Sequence, residues 1–187
     1  MKFWQVAIVM LLLPFICMAS TIRHTGPAYD RNARIALDKV IDRLSKKYNF
    51  QLLNSSTGSM IDADCAHWGI SWMVRYPMTL EQARPIAADL VRTLLREIYC
   101  NPLYTTAHRA IRPRSPPELS ETMVAFKVAF WNSSMDRPLF PSLAQFRYAE
   151  GRIYYYYADP QTQGLQMPTV ETLTDMNIVP TDYKPPS

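Results

Sequence analysis

Between residues 67 and 76 large apolar side chains alternate with small or polar ones, Met73 being the exception. Trp68, Ile70, Trp72, Val74 and Tyr76 fall on one side, His67, Gly69, Ser71, Met73 and Arg75 on the other. A period of two sends successive side chains to opposite faces of a strand, so this strand has one dry face and one wet one. Pro77 ends the pattern, and Thr79-Leu80-Glu81-Gln82 follows it with the composition of a capping box, in which the Thr hydroxyl and the Gln side chain each satisfy the other's backbone N–H. The apolar period then changes to that of a helix running to about Tyr99, with Ala83, Ile86, Ala87, Leu90, Leu94 and Ile98 on one stripe and Pro85 in the second turn, where it should bend the axis. A strand that is dry on one face and leads straight into an amphipathic helix restricts the fold to a sheet with helices laid on one side.

The other segments fit that plan. Residues 30–47 read as a second amphipathic helix, with Ala33, Leu37, Val40, Ile41, Leu44 and Tyr48 on one stripe and Arg34, Asp38, Asp42 and Lys46 off it. Residues 50–53 form a short strand and Asn54 to Gly58 have turn composition. Residues 122–131 read as a strand with Val124, Phe126, Val128 and Phe130 inward, and residues 145–148 and 152–157 flank Glu150-Gly151 as a hairpin. The proline-rich stretch 101–117 is expected to be irregular, and residues 168–176 to form a last short helix. The expected fold is α+β: an antiparallel sheet of about five strands, with two main helices and a short C-terminal helix packed on one face. The domain boundaries are a signal peptide over 1–19, an N-terminal extension over 20–29, one domain over 30–179 and a disordered tail over 180–187, where apolar residues are few.

The leader sets the compartment. Lys2 is the positive end, residues 3–17 are an uncharged apolar run too short to span a bilayer comfortably, and Cys17-Met18-Ala19 puts small residues three before and directly before a cut ahead of Ser20. Export to the periplasm, the cell envelope or the medium follows. The competing reading keeps Cys17 as a lipidated N-terminus and tethers the protein to a membrane, against which Pro14 and Ile16 are a poor lipobox. Loss or lipidation of Cys17 leaves Cys65 and Cys100 in an oxidising compartment, where they are expected to pair across a loop of about 35 residues, a closure worth roughly 3–4 kcal/mol. Two separate buried thiols are the alternative. The formal charge of +4, spread along the chain, is too small to imply nucleic acid.

Several groups of residues carry chemistry in principle. Asp62-Ala63-Asp64-Cys65-Ala66-His67 gathers potential ligands, but a disulfide would consume Cys65 and no second half of a zinc spacing follows, so neither a metal nor a cofactor is expected. A Cys–His nucleophilic pair would need Cys65 or Cys100 reduced beside His67 or His108, and no G-x-S-x-G accompanies the serines. Four consecutive tyrosines, Tyr154 to Tyr157, place phenols on both faces of a strand: Tyr155 and Tyr157 with Ile153 on one side, Tyr154 and Tyr156 on the other. One pair belongs to the core; the other is covered by the last helix or packs against cross-strand neighbours, or else it stacks on a sugar ring or packs against a partner. Arg109, Arg112 and Arg114 form a basic segment that suits phospholipid headgroups, anionic glycans or an acidic partner, unless it is a solvated loop. Asn54-Ser55-Ser56 and Asn132-Ser133-Ser134 match glycosylation sequons, idle in a bacterium.

The stretch SKKYNFQLLNSSTGSM and, after the strand, YPMTLEQARPIAADLVRTLLREIYCNP resembles small exported proteins of intracellular bacteria in which a Lys-Lys-Tyr helix end and a Leu-Thr-x-Glu-Glu-Ala-Arg helix start flank strands. The resemblance covers residues 45–102 and consists of capping and core positions. It implies the same architecture and brings no activity, cofactor or catalytic residue. The expected role is therefore that of an exported binding or envelope-associated module, acting on a protein or glycan partner through the tyrosine strand (Tyr154, Tyr156) or the arginines (Arg109, Arg112, Arg114). The alternative is a small extracytoplasmic hydrolase or thiol enzyme at Cys65 and His67.

Overall fold

The computed structural model describes residues 28–57, 68–111, 121–132, 136–162, 164–166 and 168–184. The leader, Cys17, the 62–67 ligand cluster, Arg112 and Arg114 lie outside them.

The elements follow in the order α1 (Ala28–Tyr48), β1 (Gln51–Thr57), β2 (Trp68–Val74), α2 (Leu80–Cys100), α3 (Pro102–Ile111), β3 (Val124–Phe130), β4 (Gln145–Ala149), β5 (Arg152–Tyr156) and β6 (Thr169–Thr172). The six strands form one sheet in chain order, β1 to β6. The fold is α+β, as the alternation and the helical stripes require. Every described strand pair is antiparallel except β2–β3, which is parallel from Trp68↔Val124 to Val74↔Phe130. This departs from the expected all-antiparallel sheet for a topological reason. Two helices separate β2 from β3, and a chain that crosses over through helices re-enters the sheet in the same direction.

One face of the sheet and the helices share a single hydrophobic cluster. Trp68, Ile70, Trp72 and Val74 of β2, Val124, Phe126, Val128 and Phe130 of β3, Phe146 and Tyr148 of β4, and Ile153 and Tyr155 of β5 meet Leu37, Ile41 and Leu44 of α1 and Leu90, Leu94 and Ile98 of α2. Trp72 is fully buried and its indole N–H donates to Ser45 Oγ of α1 at 2.8 Å. Trp68 packs edge-on against Tyr104 of α3 with ring centroids 5.1 Å apart. The buried Arg34 of α1, expected on the polar side, donates to the Ser55 carbonyl and to Ser55 Oγ and forms an ion pair with Asp38 at 3.2 Å, so its charge is paired while it ties edge strand β1 to the helix.

The capping box forms as expected: the Gln82 N–H donates to Thr79 Oγ1 (3.4 Å) and the Thr79 N–H to Gln82 Oε1 (2.9 Å). Thr79→Ala should lower stability by about 1 kcal/mol, read as a lower urea midpoint with an unchanged slope. At the β4–β5 turn Glu150 and Gly151 both have positive φ, 54° and 72°, the pair a tight hairpin of this twist needs.

Four further expectations are corrected. Residues 54–57 continue β1 instead of turning, with a register shift between Leu52 and Asn54. The first part of the stretch 101–117 is a helix, because Asn101 Oδ1 accepts from the Leu103 N–H at 3.1 Å and Pro102 fills the first helical position, where its missing N–H costs nothing. Residues 168–176 are not a helix: Thr169–Thr172 pair with β5, and the side chains of Thr172 and Asp175 then close a turn by accepting each other's backbone N–H groups. Finally, residues 180–184, expected to be part of a disordered tail, dock. Residues Pro180–Asp182 form one 3₁₀ turn, and Tyr183 is 3% exposed against Tyr99 of α2.

Candidate functional site

Because the helices occupy one face of the sheet, the residues between the core positions point the other way. The register aligns them into rows. One row runs Asn54, Ser71, Lys127, Arg147, Tyr154 and Val170 across all six strands. The next runs Gln51, Met73, Ala129, Gln145 and Tyr156. Arg152, paired with Ala149 and Thr172, belongs to the same face. Met73, Ala125 and Ala149 are buried on this side but stand outside the cluster shared with the helices.

The charge on this face is one-sided. Lys127, Arg147 and Arg152 lie on it, and no Asp or Glu does among the described strand residues. The acid nearest in sequence, Glu150, is exposed in the turn between β4 and β5, and Glu171 belongs to the helix side, where Arg84 holds it at 2.6 Å. Lys127 and Arg147 are direct cross-strand partners, a like-charge juxtaposition that works against pairing. Arg147 Nε is buried with no hydrogen-bond partner. Several cations away from this face have acidic partners, among them Lys47 with Asp89 (2.9 Å), Arg92 with Asp182 (3.6 Å) and Lys184 with Glu121 (3.3 Å).

Tyr154 flanks Arg147, and Tyr156 flanks Gln145, both half-buried by their neighbours on the face. Their opposite numbers behave as the alternation implied: Tyr155 is fully buried, and burial pushes its phenol up. Tyr157, expected with Tyr155, is only half-buried and packs beside Phe140 at 5.5 Å. Of the arginine segment, Arg109 lies on α3, where only its backbone is described, and Arg112 and Arg114 lie outside the described residues. Cys65 and His67 also lie outside them. Cys100 ends α2 with an exposed thiol, its Sγ donating to the Tyr183 carbonyl at 3.6 Å.

Cys100 opens onto a groove of about 510 Å³ between α1 and α2, with Arg43, Lys47, Arg96 and Glu97. Its polar groups are largely taken: Arg96 donates twice to the Asp182 carbonyl, at 2.8 and 3.0 Å, and Glu97 accepts from Asn101 Nδ2 at 2.9 Å. Among the described residues no group of His, Cys, Asp and Glu is placed to hold a metal, and no helix is long and apolar enough to cross a membrane.

Two of the outer-face cations, Lys127 and Arg147, carry no sequence signature. Each sits alone within an alternating strand, and only the register makes them neighbours. Fold and face together define a two-layer α+β sandwich with a basic, tyrosine-bearing sheet surface. Comparison with protein-family models, curated proteins and solved structures found no match to the chain.

Proposed function

We propose that this protein is an exported, extracytoplasmic binding module whose ligand lies across the outer face of the sheet, against Tyr154 and Tyr156. The observation that carries the reading is the row Ser71, Lys127, Arg147, Tyr154, in which two cations with no acidic partner among the described residues stand beside a tyrosine ring on the face opposite the helices. Such a face keeps an electrostatic cost in the free protein that a ligand relieves, and tyrosines provide flat amphipathic contact at low entropic cost. Export rests on Lys2, the apolar run to Cys17 and the small residue Ala19.

A panel of soluble glycans, cell-wall polymer and lipid vesicles, read by surface plasmon resonance, tests the reading. The double substitution Tyr154→Ala/Tyr156→Ala should weaken binding about tenfold or more while the unfolding midpoint changes little. Full retention of binding by that variant would remove the face from the function.

A further inference from the structure

We infer that the ligand of this face is an acidic polysaccharide, a chain of sugar rings bearing carboxylate or sulfate groups. The inference rests on the outer-face reading above and adds the chemistry of the ligand to it.

The argument begins with an unmet electrostatic demand. Lys127 and Arg147 face each other across β3 and β4, and Arg152 lies on the neighbouring strand of the same face. Directly paired strand residues have Cβ atoms about 5 Å apart, so the first two cations repel each other at close range. One anionic oxygen beside Lys127 and the Arg147 guanidinium relieves that repulsion, since charge-assisted hydrogen bonds from Arg and Lys to carboxylate or sulfate are the strong ones. Arg152 places a third positive group apart from that pair, which suits anionic groups repeated along a chain better than a single small anion.

The uncharged residues narrow the class further. Tyr154 and Tyr156 project from alternate positions of β5, and Asn54, Ser71 and Gln145 supply neutral donors and acceptors along the two rows. Tyrosine faces for the apolar sides of rings, amides and a hydroxyl for ring hydroxyls, and cations for acidic groups are together the recognition set of an acidic sugar polymer. An acidic peptide would leave the ring faces unused. A single-stranded nucleic acid would use them, and it serves as the competing probe.

The experiment measures binding of the purified full chain to heparin and polygalacturonate, to neutral dextran and to an oligodeoxythymidylate. Comparison variants are Lys127→Gln/Arg147→Gln on the face and Arg43→Gln in the helix-side groove. Expected results are binding to both acidic glycans in preference to dextran and the oligonucleotide, about tenfold weaker between 50 and 500 mM salt, and on the order of 100-fold weaker in the Lys127→Gln/Arg147→Gln variant. Arg43→Gln should bind as the unaltered chain does. The unfolding midpoint of the double variant should hold or rise, because it removes a like-charge pair; a fall would mark a structural role and count against the inference.

Equal binding of dextran, abolished by Tyr154→Ala/Tyr156→Ala and indifferent to Lys127→Gln/Arg147→Gln, would overturn the acidic ligand and leave the face reading standing. Tighter binding of the oligonucleotide would overturn the ligand class. No binding of either acidic glycan would do the same, and acidic-glycan binding that survives both face variants would overturn the inference and the face reading together.

Discussion

Trp72→Ala should be among the most damaging single substitutions in this domain, at about 3–5 kcal/mol. The side chain is fully buried where β2, β3 and α1 meet, with Phe126 at 6.0 Å and Phe50 at 6.1 Å between ring centroids, and its indole N–H is satisfied by Ser45 Oγ at 2.8 Å. Truncation leaves a void that a sheet fixed by neighbours on both sides cannot close, so the loss includes a cavity contribution beyond transfer of the ring. Against a typical stability of about 5–15 kcal/mol that is a large share, and the unfolding temperature should fall by about 10 °C. Ser45→Ala isolates the hydrogen bond. It leaves a buried N–H without a partner and should cost about 1–3 kcal/mol, whereas adding it to Trp72→Phe should cost almost nothing further. A Trp72→Ala protein that melts within about 2 °C of the unaltered chain would show that the helix layer does not depend on this contact.

The elements that sequence patterning located are those whose burial is one-sided and regular. Trp68 to Val74 and Val124 to Phe130 each show a period of two that carries into burial except at Met73 and Ala125, and Thr79 with Gln82 marks the start of α2 by chemistry local to four residues. The segment after Pro168 misleads because Leu173, Met176 and Ile178 are apolar at near-helical spacing. Their burial comes instead from a turn folded back after an edge strand, which only the pairing of β6 with β5 determines. Asn101-Pro102 is a helix start hidden by the prolines that follow it. The face shows the same division. Alternation alone sends Tyr154 and Tyr156 away from Tyr155, but the meeting of Lys127 with Arg147 depends on β3 lying next to β4 with residue 127 opposite residue 147. Register of that kind is a long-range property, set by how the whole core closes.

The docking of the C-terminal segment leads to the second large effect, a loss of about 3 kcal/mol or more in Tyr183→Ala. Tyr183 is buried against Tyr99, and its hydroxyl donates to Glu121 Oε1 at 2.8 Å. Lys184 reaches the same oxygen at 3.3 Å, and Arg96 of α2 holds the Asp182 carbonyl. Burial pushes the Glu121 carboxyl up, but its hydrogen bonds with the backbone and Tyr183 and the charge of Lys184 outweigh that and hold it below its ordinary 4.5. A carboxylate depressed in the folded state contributes stability that is present above the unfolded value and lost as the pH falls through the folded one. The unaltered chain should therefore lose stability as the pH drops below about 4.5. Tyr183→Phe keeps the ring and removes the donor, so it should cost about 1 kcal/mol at neutral pH and flatten the acid limb, because Glu121 then titrates closer to its unfolded value. Urea unfolding at pH 7, 5, 4 and 3 checks both statements. Identical acid limbs for the unaltered chain and Tyr183→Phe would mean that Lys184 and the backbone alone hold the carboxylate, and that the tail is fastened by its ring and not by its hydroxyl.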